Sequence, residues 1–532
     1  MQSRSVKNVM LFVLLTICLT MVGCGGRGDV KGKLDKNVYA SIDRRWGEDM
    51  GSQANYRVSD VTPGPDDVNV AETISNLGTL TLPQAVALAT AQNYTYQEQR
   101  EALYLAGLDL RLTRHQFERR FFGVGGFGYS GNQDDELIAA EATAGFNHLL
   151  ADGTEIGLSL TGAWVNVLTG DLQGGLASIL GAAIRKPLLR GSNREIVLEG
   201  LTQAERDVLY QVRGFNRYRK QFVVTVISEY YRTLLLLDWA QNAQGNVTFL
   251  DSLYTQSQIL YDYGRLNQIE RDQIHQELLR GKSAALLTWK IYEQALDQFK
   301  RTLALNPSLA FKLDDRELER LKTASLTLPQ VPDNEILNAA LARRLDLINE
   351  ADRIQDAQRK IAVAQDRMRG ELNIVGSANG ASRQVGDPRT LDPYENRANL
   401  GIEFDLPLDR VAEENAYRAA LIAYNQQQRR YDDAADQIRL EVREAYRNLA
   451  LAAERYQLQS KGLTLAEDRR RVSSLLAEHQ RASTRRILQA QEDMVEAQNK
   501  RTLALINFAI ASLDFYRDTG VLQVKPDGMW TL

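Results

Sequence analysis

The sequence has little of what cross-links a chain or breaks a helix. Its 532 residues include 2 cysteines, 11 prolines and 4 histidines. Two cysteines exclude a disulfide framework or a cysteine-rich zinc fold. His115, His148, His275 and His479 stand far apart, with no spacing that would gather metal ligands. Charge of one sign is lacking too. Lys and Arg number 64 against 68 Asp and Glu, and a net charge of −4 gives no electrostatic case for nucleic acid. The run Gly123 to Gly128 has no basic phosphate binder after it, so it reads as strand and not as a nucleotide loop. Arg469-Arg470-Arg471 reads as a solvated helix face. No convergent set of nucleophile, acid and base emerges, so neither an enzyme nor a cofactor is expected.

What the chain does have is helix, placed where proline is missing. Pro407 and Pro526 are separated by 118 proline-free residues, and Pro187 and Pro307 by 119. Inside the first-half gap Val223, Val226, Tyr230, Thr233, Leu237 and Ala240 alternate steps of three and four. Ile438, Val442, Ala445, Leu449, Ala452 and Tyr456 do the same in the second. A mean period of about 3.5 marks helices packed side by side as in a coiled coil. Each gap predicts a helix of roughly 65 to 70 residues, reaching roughly 100 Å at ~1.5 Å per residue. Such rods are too charged to cross a bilayer, so they must span something aqueous.

Before each rod the period drops from 3.5 to 2. In Arg397 to Pro407, Ala398, Leu400, Ile402, Phe404 and Leu406 point one way, and Asn399, Gly401, Glu403 and Asp405 the other. Leu372 to Asn379 is the expected partner strand, with the turn at Gly386 to Pro393. The first half has Phe121 to Tyr129, then Thr154 to Trp164 with Ile156, Leu158, Leu160 and Trp164 opposite Glu155, Ser159 and Thr161. Strands with one apolar and one polar face fit a membrane β-barrel whose polar face lines the lumen. A small soluble sheet packed on the helices is the alternative. Two hairpins, with an additional one possible between Glu141 and Trp164, give four to six strands. A membrane barrel needs about eight, so several copies must share one.

The halves match as a duplication. A shift of 251 lays Ala85–Tyr96 on Ile336–Leu347 and Phe121–Gly128 on Leu372–Asn379, and a shift of 215 lays Ile227–Leu234 on Val442–Leu449. The expected division is repeat one at 80–306, with helix 82–119, strand region 120–187 and long helices 191–262 and 266–305. A segment 307–333 with three prolines follows, then repeat two at 334–520, with helix 335–369, strand region 371–407 and helices 411–479 and 483–520. Residues 521–532 form a tail. Residues 25–79, polar and glycine-rich around Pro63-Gly64-Pro65, are expected to be extended. Residues 1–24 read as an export signal, with Arg4 and Lys7 before the apolar run Val9 to Leu19. Met21-Val22-Gly23-Cys24 resembles a bacterial lipoprotein cleavage box, which would make Cys24 the acylated first residue of the mature chain; the alternative is an ordinary signal with an incidental cysteine.

The order of signal, helix, β-hairpin, very long helix, turn and helix, given twice, resembles the outer membrane efflux protein family, the TolC-like channels. Leu82-Pro83-Gln84-Ala85-Val86, Pro187-Leu188-Leu189-Arg190-Gly191, Pro407-Leu408, Tyr261 with Gly264, and Ile487-Leu488-Gln489-Ala490-Gln491 carry the likeness over about residues 80–520. The resemblance implies a mainly α chain and a homotrimer, in which four strands from each of three copies make a twelve-stranded β-barrel continued by an α-helical periplasmic barrel. It also implies a periplasmic adaptor and an inner-membrane transporter as partners, and a lipid-anchored place in the outer membrane reached through the periplasm. The tip and adaptor-docking or gate residues would be Tyr261, Gly264, Arg265, Asn267 and Glu270 at the first turn, and Gln480, Ser483, Arg485, Arg486 and Gln489 at the second. Members often have glycine where Gln480 stands and carboxylates where Arg486 and Gln489 stand. Carboxylate rings favour cations, so the arginines point to an entrance less cation-selective, unless Glu270 and Asp272 compensate or these charges are a solvated face. The expected role is a passive conduit for small molecules or polypeptides, against a non-conducting coiled-coil envelope lipoprotein that spaces or scaffolds.

Overall fold

The computed structural model describes residues 30–531 apart from 48–49, 52, 54, 61–77, 132–135, 168–174, 324–327, 329–332, 382–396, 479–482 and 526–529. The expected signal with Cys24, the segment Pro63-Gly64-Pro65, the turn Gly386–Pro393 and Gln480 lie outside the described residues.

In chain order, α1 (Val30–Asp43) precedes α2 (Leu82–Gln92) and α3 (Tyr94–His115). Four strands follow: β1 (Arg120–Gly131), β2 (Glu136–Leu149), β3 (Glu155–Val167) and β4 (Gly175–Pro187). Next come α4 (Glu199–Asp262), its return α5 (Gln268–Thr302) and the short α6 (Arg316–Thr323). The second half has α7 (Asp333–Arg343), α8 (Leu345–Arg367), β5 (Glu371–Ala381), β6 (Arg397–Asp405), α9 (Val411–Glu478) and α10 (Thr484–Asp518). The helices α4 and α9, with 64 and 68 residues, are each roughly 100 Å long. Among the described residues no helix is long and apolar enough to cross a membrane.

The duplication is visible in the element starts. Residues 82, 94 and 120 open α2, α3 and β1, and 333, 345 and 371 open α7, α8 and β5, each 251 later. The ends of α4 and α5, at 262 and 302, are followed 216 residues later by those of α9 and α10. The offset falls by 35 between the two sets, so the first half carries 35 more residues around its strands. They are taken up by β2 and β3.

The helix expected at 82–119 is broken at Asn93, and the one at 335–369 at the equivalent Arg344. Asn93 caps α3 by accepting from the Tyr96 amide at 3.1 Å, and its side-chain amide donates to the Thr302 carbonyl at 2.8 Å, tying the break to the end of α5. Arg344 is buried and reaches Asp346 at 2.8 Å and Glu441 at 2.5 Å. Burial pushes the Glu441 carboxyl up, but the Arg344 and Gln437 hydrogen bonds and the charges of Arg344 and Arg217 outweigh it and hold it below its ordinary value of 4.5. A carboxyl so depressed stabilises the fold above about pH 4.5, and that contribution is lost as pH falls through the folded value. Arg344→Ala is therefore expected to lower stability at pH 7 by about 1 to 3 kcal/mol, the range for losing a charged hydrogen-bond partner. Urea unfolding at several pH values should show the gap to the parent closing below about pH 4.

The core lies where α1 to α5 meet the carboxyl-terminal part of α10. Val223, Val226, Tyr230, Thr233 and Ala240 are buried along α4, and Ile438, Val442, Ala445 and Leu449 along α9, so the 3.5 period marks the packed seams. The two helical hairpins are joined by hydrogen bonds from Asn242 to Asn499 at 2.9 Å and from Gln491 to Asn246 at 3.0 Å. The lead segment differs from its expected extended form. Val38 and Ile42 of α1, with Trp46, Met50 and Tyr56 after it, enter the main core. Gly107 of α3 makes the docking possible, because a Cβ there would lie 2.6 Å from Val38 Cγ1.

Candidate functional site

The six strands form one antiparallel sheet in the order β1-β2-β3-β4-β5-β6. The additional hairpin that the sequence left open is thus part of it. One row of neighbours runs Phe121, Phe146, Leu158, Ala182, Ala378, Ala398 across all six strands and is apolar throughout. The row beside it on the opposite face runs Phe122, Gly145, Ser159, Gly181, Asn379, Arg397, and the next Arg120, Asn147, Gly157, Ala183, Ser377, Asn399. Apolar and polar faces separate because side chains alternate across a pleat. On the polar face the Thr143 and Thr161 hydroxyls meet at 2.9 Å.

All four junctions between strand and helix are at one end of the sheet. There the polar face gathers charge: Arg185 lies 3.2 Å from Glu403 and 3.6 Å from Glu371, and Arg190 lies 3.4 Å from Glu371. Sequence reasoning named Glu403 on a polar strand face and Arg190 in a motif of the resemblance, but it did not bring these four residues together or give them a role. The β2–β3 turn is at the same end and is tight, with the Leu150 amide donating to the Thr154 carbonyl at 2.8 Å. Gly153 there has φ +79°, and a Cβ on it would lie 2.4 Å from the Gly191 carbonyl oxygen. Only glycine lets this turn sit on the junction where β4 leads into α4.

At the other extreme, α4 and α5 join in a close turn. Gly264, at φ +65°, donates to the Tyr261 carbonyl at 2.9 Å, and the Arg265 amide to Leu260 at 2.8 Å, a glycine-terminated helix end. Asn267 caps α5 by accepting from the Glu270 amide at 2.8 Å. Arg271 stacks 4.4 Å from the Tyr261 ring centre and pairs with Asp272 at 2.7 Å. At the second turn Ser483 precedes α10 and makes no side-chain cap; its carbonyl accepts from the Arg486 amide at 2.9 Å. Arg485 and Arg486 are exposed and have no ion pair among the described residues, while Gln489 donates to Asp493 at 2.9 Å. Leu488 packs on Val247, Leu250, Leu278 and Ala285, which sets the second turn beside the first hairpin. The candidate tip residues therefore form two neighbouring groups, with Gln480 outside the described residues. Of the histidines, His115 contacts Glu118, His148 the Phe117 carbonyl and His275 the Tyr254 ring. Among the described residues no cluster of His, Cys, Asp or Glu could hold a metal.

No family model and no curated protein sequence matches the chain. Solved structures do. The open-state MtrE outer membrane channel of Neisseria gonorrhoeae aligns over 90% of this chain and 98% of its own, at 14% identity and a TM-score of 0.59. The CmeC outer membrane channel of Campylobacter jejuni aligns over 89% and 92%, at 13% identity and 0.60. The outer membrane protein VceC of Vibrio cholerae aligns over 82% and 96%, at 12% identity and 0.58. The chain has the TolC-like outer-membrane channel fold. At such low identity it is the fold that is shared. The resemblance implies four strands per copy; among the described residues the sheet of this chain has six.

Proposed function

We propose that the chain is a subunit of a homotrimeric outer-membrane channel, a passive conduit for the export of small molecules or polypeptides. The observation that carries this is the union, in one chain, of a two-faced sheet with helices roughly 100 Å long leaving one of its ends. Short turns on the periplasmic side and longer connections outside are the habit of membrane barrels. Here the turn on the helix side spans residues 150–154, and the opposite connections are 132–135, 168–174 and 382–396, two of the three longer than that turn. That polarity supports a barrel in the outer membrane with the helices in the periplasm. Cys24 would carry the lipid anchor, and a periplasmic adaptor and an inner-membrane transporter would meet the turns around Gly264 and Ser483. Planar-bilayer recording tests the reading: trimers are expected to give discrete conductance steps, and folded protein that inserts without conducting would make it a scaffold instead.

Selectivity tests the tip separately. With three copies around one axis, Arg485 and Arg486 place six cations at the entrance, against the carboxylates of Glu270 and Asp272. Arg486→Asp is expected to move the reversal potential in a KCl gradient toward that of a cation channel. An unchanged potential would assign these arginines to a solvated helix face.

A further inference from the structure

The six-stranded sheet is open at β1 and β6, and these two edges fit each other. We propose that β1 of one copy pairs with β6 of the next, so that three copies close an eighteen-stranded barrel in place of a twelve-stranded one. This rests on the trimeric channel reading and adds to it the width of the pore and the seam between copies.

Direction and charge agree with the pairing. Six alternating strands leave β1 and β6 antiparallel, and each begins or ends at the helix side with a charged residue, Arg120 on β1 and Asp405 on β6. Setting Arg120 opposite Asp405 puts both strands' apolar faces on the same side. Phe121 then meets Phe404, Gly123 meets Ile402, Gly125 meets Leu400 and Phe127 meets Ala398.

The glycines of β1 supply the independent observation. Most glycines inside the sheet face a close neighbour, although Gly162 of β3 meets none within 4 Å: a Cβ on Gly376 would lie 3.0 Å from Ile184 and 3.8 Å from Leu400, and one on Gly145 would lie 2.3 Å from the Leu158 carbonyl oxygen. Gly123 has no such reason within its own chain, since a Cβ there would meet nothing within 4 Å, and at Gly125 it would make only an ordinary contact at 3.8 Å. Glycine weakens a strand unless something must approach it closely. Across the proposed seam something does: Ile402 and Leu400 are 74% and 83% exposed on the β6 edge, and those side chains of the next copy would lie over Gly123 and Gly125. The same small-against-large packing that Gly376 shows within the chain would be repeated between chains.

The added hairpin widens the barrel and does not cover it. Both β2 and β3 are paired with neighbours on each side in continuous register, and Gly153 seats their turn on the β4–α4 junction. Because barrel diameter grows roughly linearly with strand number, eighteen strands give about 1.5 times the width of twelve and about twice the cross-section, in the range that leaves an aqueous channel.

Cryo-electron microscopy of the full chain in detergent counts the strands directly, without any substitution. Eighteen strands around a threefold axis is the expected result. Twelve strands around that axis with β2–β3 outside the ring overturns the inference and leaves the channel reading standing. A twelve-stranded ring from two copies overturns the inference and the trimer, and a monomer with a solvated sheet overturns the channel as well. Cysteine pairs locate the seam. Gly123→Cys with Ile402→Cys is expected to give a reducible covalent trimer, whereas Gly123→Cys with Glu403→Cys, on opposite faces, is expected to give none. Equal cross-linking by the two pairs overturns the proposed register.

Discussion

Replacing Leu160 with arginine is expected to destabilise the assembled sheet by about 2 to 4 kcal/mol per chain, while arginine at the next residue, Thr161, leaves assembly intact. Leu160 is half-exposed in the middle of β3, in an apolar row between Ala144 and Leu180. On a lipid-facing surface its charge would have to be buried near the bilayer midplane. Thr161 points to the other face, where arginine would be solvated in the lumen, and what is lost is the Thr143–Thr161 hydrogen bond, about 0.5 to 1.5 kcal/mol. Oligomer band intensity after graded heating in detergent reads the difference. Equal tolerance of the two substitutions would mean that neither face meets lipid, and the sheet would be a soluble one packed on the helices.

That contrast was legible in the sequence because β3 and β6 are built of strong alternators. Leu400, Ile402 and Phe404 against Asn399, Glu403 and Asp405 give a period of two that is not the period of a helix. The edge strand β1 is harder to read, since Gly123, Gly125, Gly126 and Gly128 carry no hydropathy signal, and β2 is blurred by Ala139, Ala140, Ala142 and Ala144, which suit helix as well as strand. The second hairpin was therefore visible mainly as excess length between the two duplicated blocks. The long helices were readable from the absence of proline, and their seams from heptad spacing. The breaks at Asn93 and Arg344 were not, because the apolar pattern runs through both; Asn93 is itself a cap residue, and both also bond to distant elements, at Thr302 and Glu441. The tip was legible where Gly264 and Asn267 are ordinary cap residues. The charge cluster of Arg185, Arg190, Glu371 and Glu403 needs the strand register to bring it together.

Arg100 is where a solvated reading of charge on a periodic helix fails most, and its loss is expected to have the largest effect of any substitution away from the sheet. Only 1% of it is exposed. Its guanidinium donates to the carbonyls of Asn55 and Thr90, each at 2.8 Å, and stacks 5.1 Å from the Tyr96 ring centre. The bond to Asn55 fixes a residue at φ 55°, a left-handed conformation that asparagine tolerates better than most. Arg100 thus clamps the stretch after α1 onto α3. Arg100→Met keeps the apolar stem but leaves both carbonyls without this partner, at about 1 to 3 kcal/mol each, so a total of about 2 to 6 kcal/mol is expected. Arg111→Met, an exposed position on the same helix, should stay within about 0.5 kcal/mol of the parent. Limited proteolysis followed by mass spectrometry separates a local from a global effect. Early cleavage between residues 44 and 60 in Arg100→Met, with α4 and α9 still protected, is the outcome a clamp requires, and unchanged cleavage would show that Trp46, Met50 and Tyr56 hold the segment by packing alone.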